Sequence, residues 1–327
     1  MEHQGVLLEE VRAAQRRIES SAVQTPLVRL DVPAAPAEIH LKLENLQAVG
    51  SFKVRPVANV LLNLRESELR HGAWTASSGN AGIALTWVAT RMGVAAAVVV
   101  PENAPAIKID RLRELGAAVH RVAEEEWWEV ICTRHWAGTE GVFVDAVRDV
   151  RAMAGNGTIG LEILAQLPEV DTILVPFGGG GLSAGIASAV KAVNPAVRVI
   201  ACESELATPL SAAVTAGRPV EVEVRPGWIS GIGAASVLPE MWPLLKNLLD
   251  GTRVVSQVQV VHAIRTMLEH CHVVSEGAGT VGVAAALSGS VPGRKLVCVV
   301  SGGNIDAGDL AEILAGRAPG QIRGRYT

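Results

Sequence analysis

A run of four glycines between two strand-like segments constrains this chain more than any other feature. Ile173, Leu174 and Val175 make a short apolar run of the kind that forms a buried parallel strand. Gly178, Gly179, Gly180 and Gly181 follow it. A stretch with helical character then runs from Ser183 to Val193, and a second β-branched run spans Val197 to Ile200. Thr172 to Glu203 therefore reads as one strand–helix–strand unit. Four glycines where a strand feeds a helix leave backbone N–H groups uncovered at the positive end of the helix dipole, a place for a phosphate. Two phosphates fit. Gly179, Gly181 and Ala184 match the G-x-G-x-x-G/A dinucleotide pattern, with Glu203 placed to meet a ribose. The rival is a phosphate-bearing cofactor whose reactive end is directed at a lysine elsewhere. A third reading is a tight turn and nothing more.

With 327 residues the chain can form one large domain or two modest ones. A hydrophobic share of 49% with 33 glycines suits an α/β protein with buried strands. The net charge of −4, with signs interspersed, leaves no basic face for nucleic acid. No apolar run reaches the length of a membrane span, and the first residues lack the apolar region of a signal peptide, so a cytoplasmic protein is expected. Cys132, Cys202, Cys271 and Cys298 are widely spaced, three of them in strand-like runs, and read as buried free thiols in a reducing cytoplasm.

Val6 to Ile18 has one apolar side, the pattern of an amphipathic helix, and Ile39 to Leu43 alternates like a half-buried strand. Gly50 and Ser51 can open a helix that continues over Val57 to Leu64, with Pro56 tolerated in its first turn. Lys53 then stands at a helix start beside Phe52. A solvated charge is the ordinary reading of one lysine. Apolar neighbours would instead lower its pKa and make the amine nucleophilic. Ala73 to Ala76 leads through Ser77, Ser78, Gly79 and Asn80 into a helix over Ala81 to Met92. That turn is either an ordinary cap or a receiver for an anion. Strands over Val94 to Val100 and Ala118 to Val122, joined by a helix over Ile107 to Leu115, imply a second small parallel sheet.

Glu124 to Trp136 reads as a helix whose tryptophans serve as core or pocket wall. Gly155-Asn156-Gly157-Thr158 reads as a turn before Ile159 to Leu167, and Leu206 to Trp242 as irregular loop. His270 and His272 flank Cys271, but an apolar strand is expected next and no further ligand has the spacing of a metal site. The last strand, Lys295 to Val300, ends in Ser301, Gly302, Gly303 and Asn304.

Four glycine- or serine-rich turns thus sit at element junctions, where ligands bind in open α/β sheets. GSFK around Lys53, SSGN at 77–80, VPENAPAIK at 100–108, AGNGTIGLEIL at 154–164, GGGGL at 178–182 and SGGN at 301–304 occur in this order along the chain. In them the sequence resembles the fold-type-II pyridoxal-phosphate enzymes, within the branch of serine/threonine dehydratases (ammonia-lyases) and serine racemases. The resemblance implies two open twisted α/β domains, the smaller, residues 70–148, inserted into a larger one of residues 1–69 and 149–327. It implies that Lys53 carries pyridoxal 5′-phosphate as a Schiff base and, once freed, takes the Cα proton. Gly178, Gly179, Gly180, Gly181 and Leu182 would hold the phosphate, Asn80 the ring hydroxyl with Phe52 nearby, and Ser301 the pyridine nitrogen. Ser77, Ser78, Gly79, Asn80 and Ala81 would receive the substrate carboxylate, with Ser78 working on the face opposite the lysine. Glu203 and the Ala207 carbonyl would hold a divalent cation, magnesium or calcium.

The implied reaction is α,β-elimination from a β-hydroxy-α-amino acid such as threonine, serine or a bulkier analogue, giving a 2-oxo acid and ammonia. Amino acid racemisation is the nearest alternative, and a nicotinamide-dependent oxidoreductase a distant one. A homodimer acting on a small amino acid is the implied assembly. The chain departs from the family pattern at Ala81, where histidine is common, at Pro56, where glycine is usual, and at Trp128, aligned with a carboxylate-binding arginine of racemases. These changes point to a larger or more apolar substrate than serine.

Overall fold

A computed structural model describes residues 5–33, 35–77, 79–102, 104 and 106–320. Two sheets carry the fold. The larger takes β1 (Leu27–Arg29), β2 (Glu38–Lys42), β7 (Thr172–Pro176), β8 (Arg198–Ser204), β9 (Gly251–Val255) and β10 (Lys295–Val299) in the order β1-β2-β10-β7-β8-β9. The smaller takes β3 (Ala73–Ala76), β4 (Ala96–Pro101), β5 (Ala118–Val122) and β6 (Val142–Phe143) in the order β5-β4-β3-β6. All pairings are parallel except β1 with β2. Parallel strands require crossovers, and the crossover helices cover both faces of the sheet.

The side-chain period of two makes this visible in the core. Leu296, Cys298 and Val300 enter the cluster under the helices Gln257–Cys271 and Gly277–Leu287. Val297 and Val299 enter the opposite one, under the helices Val150–Gln166 and Gly181–Val193. Every residue of β7 is buried, which explains why its sequence is a continuous apolar run rather than an alternation.

From β7 the sheet grows outward through β8 and β9, while β10 lies on the other side of β7. The chain therefore reverses its direction of winding between β7 and β10. A crevice opens at the carboxyl ends of strands at such a switch point.

Several local readings are corrected. Gly155 to Thr158 is no turn: it lies inside the helix Val150–Gln166. Its glycines serve close packing. A Cβ on Gly155 would lie 2.5 Å from the Arg55 carbonyl oxygen, one on Gly157 3.0 Å from that of Gly185, and one on Gly185 would overlap that of Met153. Helix axes this close leave no room for a methyl group, and that contact outweighs the roughly 1 kcal/mol each helical glycine costs. The helix begun at Glu124 ends at Thr133, short of Trp136. Pro209–Ala216 is a helix inside the stretch expected to be loop, and 272–276 is irregular where a strand was expected. Only Cys202 and Cys298 lie in strands and are buried; Cys132 and Cys271 lie in helices, the first exposed and the second half-buried, and all four are free.

Candidate active site

Lys53 is the N-cap residue of the helix Val54–Leu61, every residue of which is buried. Charge holds this helix in place. Arg55 donates from Nε and Nη2 to both oxygens of Glu44, each at 2.8 Å, and from Nη1 and Nη2 to those of Glu162 at 2.7 and 2.9 Å. Lys42 Nζ meets Glu162 Oε2 at 2.5 Å. Two cations and two carboxylates thus neutralise one another where water does not reach. Burial by itself pushes the Glu44 carboxyl up, and the Arg55 charge and hydrogen bonds outweigh it, holding Glu44 below the usual carboxylate range.

The lysine loop is also stitched to the turn after β10. Phe52 N–H donates to the Ser301 carbonyl at 2.9 Å, Gly303 N–H to that of Gly50 at 2.9 Å, and Asn304 Nδ2 to that of Val49 at 2.9 Å. Two motifs at opposite ends of the sequence become one surface because β2 and β10 are neighbours in the sheet.

Lys53 opens onto a cavity of about 340 Å³, within the range of small-molecule sites. Burial pushes its amine down to about 8, against the opposing pull of the Asp145 carboxylate. About one amine in ten is then unprotonated at pH 7, as a nucleophile requires. Its Nζ lies 4.9 Å from the centre of the Phe52 ring.

The tetraglycine forms the facing wall. Gly180 has φ +94°, and Gly181 opens the helix Gly181–Val193. A Cβ on Gly179 would lie 2.7 Å from Val147 Cγ1, and one on Gly181 2.6 Å from the Val147 carbonyl oxygen, so only glycine lets the chain pass here. Bare N–H groups at a helix N-terminus, across from a depressed amine, fit a phosphate-bearing aldehyde.

Of the residues expected at the site, Phe52, Lys53, Ser77, Gly79, Asn80, Ala81, Gly178, Gly179, Gly180, Gly181, Leu182 and Ser301 all line this one cavity. Ser78 lies outside the described residues. Glu203 and Ala207 do not line it. Glu203 Oε1 accepts from Leu210 N–H at 2.7 Å and Oε2 from Ser211 N–H at 2.9 Å, so the carboxylate caps the helix Pro209–Ala216. Both oxygens are engaged, and among the described residues no group of three or more His, Cys, Asp or Glu could hold a metal.

Trp128 is 49% exposed, and Trp127 is the indole that lines the cavity. One residue along a helix is a rotation of about 100°, so neighbouring tryptophans cannot share a face. Trp127 shares its face with Val130, which packs into the core beneath β3 and β4. Glu276 is a site residue that sequence reasoning missed. It lines the cavity, its Oε1 accepts from Asn80 Nδ2 at 2.7 Å, and burial pushes its carboxyl up to about 7 against the Asn80 hydrogen bond and the Lys108 charge. Only its place just before the glycine-rich helix Gly277–Leu287, in one more polar turn, marked it in the sequence.

Comparison with known proteins agrees with this arrangement. The family model described as "Pyridoxal-phosphate dependent enzyme" matches residues 18–302. The chain is 37% identical to the L-threonine ammonia-lyase of Thermotoga maritima, over 94% of this chain and 78% of that one. It superposes on maize serine racemase with a TM-score of 0.87 at 30% identity, covering 95% of this chain and 97% of that one. For the processed form of threonine deaminase isoform 2 from Solanum lycopersicum the TM-score is 0.83 at 26% identity, covering 94% and 93%. The chain belongs to the pyridoxal-phosphate dependent enzymes.

Proposed function

We propose that this protein is a lyase that uses pyridoxal phosphate to eliminate water from a β-hydroxy-α-amino acid, threonine, serine or a bulkier analogue. The observation that carries the proposal is the depressed amine of Lys53 on the same cavity as the glycine cradle. Relatives named threonine ammonia-lyase and threonine deaminase support it. Bound pyridoxal phosphate supplies an electron sink that makes the substrate Cα–H acidic. Lys53 would hold the cofactor by its aldehyde carbon, and its Nζ, when free, would take the substrate Cα proton. The N–H groups of Gly178 to Gly181 bind the phosphate, Asn80 the ring oxygen and Ser301 the pyridine nitrogen. Ser77, Ser78 and the N–H groups of Gly79, Asn80 and Ala81 orient the carboxylate. Loss of the Cα proton and of the β-hydroxyl, which leaves as water, gives an enamine that hydrolyses to a 2-oxo acid and ammonia.

Trp127, Ile83 and Ala81 give the cavity apolar walls, which supports a β-substituent larger than that of serine. We assign residues 70–148 as the substrate-side domain inserted into the cofactor-binding one, and a cytoplasmic homodimer as the working form. Light scattering that gives twice the chain mass supports the dimer. A cation at Glu203 and the Ala207 carbonyl would have to displace Leu210 and Ser211. A melting temperature raised by magnesium or calcium supports that site, and one unmoved by either ion sets it aside.

An absorption band near about 410–420 nm, fixed by borohydride and lost in Lys53→Ala, tests the cofactor assignment. Release of 2-oxo acid and ammonia, without inversion at Cα, tests the reaction. Chiral inversion outpacing keto-acid release would make the protein a racemase instead.

A further inference from the structure

We propose that Glu276 is a positioning residue that sets, through the amide of Asn80, the protonation of the oxygen that Asn80 holds on the cofactor ring. The inference rests on the cofactor assignment above and goes beyond it, because nothing in that reaction uses Glu276.

The geometry is a relay of three side chains. Glu276 Oε1 accepts from Asn80 Nδ2 at 2.7 Å. Asn80 Oδ1 accepts from Asn304 Nδ2 at 2.7 Å, and Asn304 Nδ2 also donates to the Val49 carbonyl at 2.9 Å. Each donor has an acceptor, so the Asn80 amide has one orientation. A flip would set its oxygen against a carboxylate and its nitrogen against the Asn304 donor. One N–H of Asn80 remains for the cavity. The backbone of Glu276 is held as well, and its carboxylate packs closely on Gly302. Glu276 N–H is tied to the Gly302 carbonyl at 3.1 Å, and a Cβ on Gly302 would collide with Glu276 Oε1.

The charges around Glu276 are few. Lys108, on the helix Ala106–Glu114, faces it across the cavity, and its own helix Gly277–Leu287 presents a positive N-terminus. Lys53 is opposed instead by Asp145. The glycine cradle and the Ser301–Asn304 turn bring no ionisable side chain. Burial pushes the Glu276 carboxyl up to about 7, so it changes charge within the working range of an enzyme. Two hydrogen bonds in series place an anion roughly 5–6 Å from the ring oxygen. A charge at that distance disfavours a second anion on the ring by one to two decades.

The direction follows. As pH rises through about 7, Glu276 becomes anionic, the ring oxygen takes the proton that the Schiff-base nitrogen held at lower pH, and the band at about 410–420 nm gives way to one at about 330 nm. The test is the absorption spectrum of the substrate-free holoenzyme from pH 6 to 8.5, for wild type, Glu276→Gln and Lys108→Met. The expected result is a change of about tenfold in the band ratio of the wild type. Glu276→Gln, which keeps an acceptor for Asn80 and carries no charge, should be flat. Lys108→Met should move the midpoint upward. A pH-independent ratio in the wild type overturns the proposal without any variant, and so does an inflection that survives in Glu276→Gln. Borohydride separates the two levels of failure. No adduct on Lys53 defeats the cofactor assignment, whereas an adduct with a flat spectrum defeats only the role of Glu276.

Discussion

Replacing Arg55 by methionine removes one cation from a buried set of two cations and two carboxylates, and the cost can be worked from the structure. Glu44 would keep only the Thr25 hydroxyl at 2.7 Å and Gln47 Nε2 at 3.2 Å, and Glu162 would keep Lys42 at 2.5 Å. Neither carboxylate reaches solvent, Glu44 being 0% and Glu162 5% exposed. The variant escapes a naked buried anion by binding one proton. From an unfolded pKa of about 4.3, that proton costs about 4 kcal/mol at pH 7.5 and about 1 kcal/mol at pH 5. The first figure agrees with the roughly 3–5 kcal/mol found when buried ion pairs lose one partner. The sign is fixed by linkage. The variant's carboxyl is raised in the folded state, so its native form binds more protons than the unfolded chain. The stability deficit relative to wild type is therefore largest at high pH and shrinks as pH falls. Urea denaturation followed by tryptophan fluorescence at pH 5 and pH 7.5 measures it. The double variant Arg55→Met/Glu44→Gln should show a smaller deficit at pH 7.5 and little pH dependence. A deficit below about 1.5 kcal/mol at pH 7.5, or one that does not shrink at pH 5, would refute the assignment of Arg55 as the neutralising centre.

Other perturbations have equally definite outcomes. The rate at which the apoprotein captures pyridoxal phosphate should rise with pH through about 8, following the free-base fraction of Lys53, and stopped-flow absorbance reads it. Gly185→Ala places a methyl group against the Met153 carbonyl and should cost about 1–3 kcal/mol in thermal or urea melts; a neutral variant would contradict the helix contact. Glu203→Ala uncaps the helix Pro209–Ala216 and should lose about 1–2 kcal/mol of stability in urea or thermal melts. Trp127→Ala should shift kcat/KM toward smaller substrates or lower it for bulky ones by about tenfold or more, while Trp128→Ala leaves the ratio alone.

Much of the fold and of the candidate site is legible in the amino-acid order because those parts are local. A fully apolar five-residue run states that β7 is covered on both faces, and glycines after it state that backbone there must approach something closely. GSFK, SSGN, GGGGL and SGGN each announce a turn at the carboxyl end of a strand, and each does line the cavity. What a glycine approaches is not local. At Gly179 and Gly181 it is Val147, on the wall of the cavity, and in Gly155 to Gly160 it is another helix, yet both runs read as glycine-rich turns before the partners are known.

The same limit separates Trp127 from Trp128 and Glu203 from Glu276. Neighbouring indoles have equal claims in composition, and only the phase of a helix docked on β3 and β4 turns one inward. A glutamate at a strand end suggested a ligand, but the chain folds back and gives both its oxygens to backbone N–H groups. A glutamate before a glycine-rich helix suggested nothing, yet the pairing of β2 with β10 and the docking of the small sheet bring Asn80 within a hydrogen bond of it. Propensity and pattern act over a few residues, so they determine elements and turns. Charge state and orientation depend on which distant groups share a volume, and chain closure alone decides that.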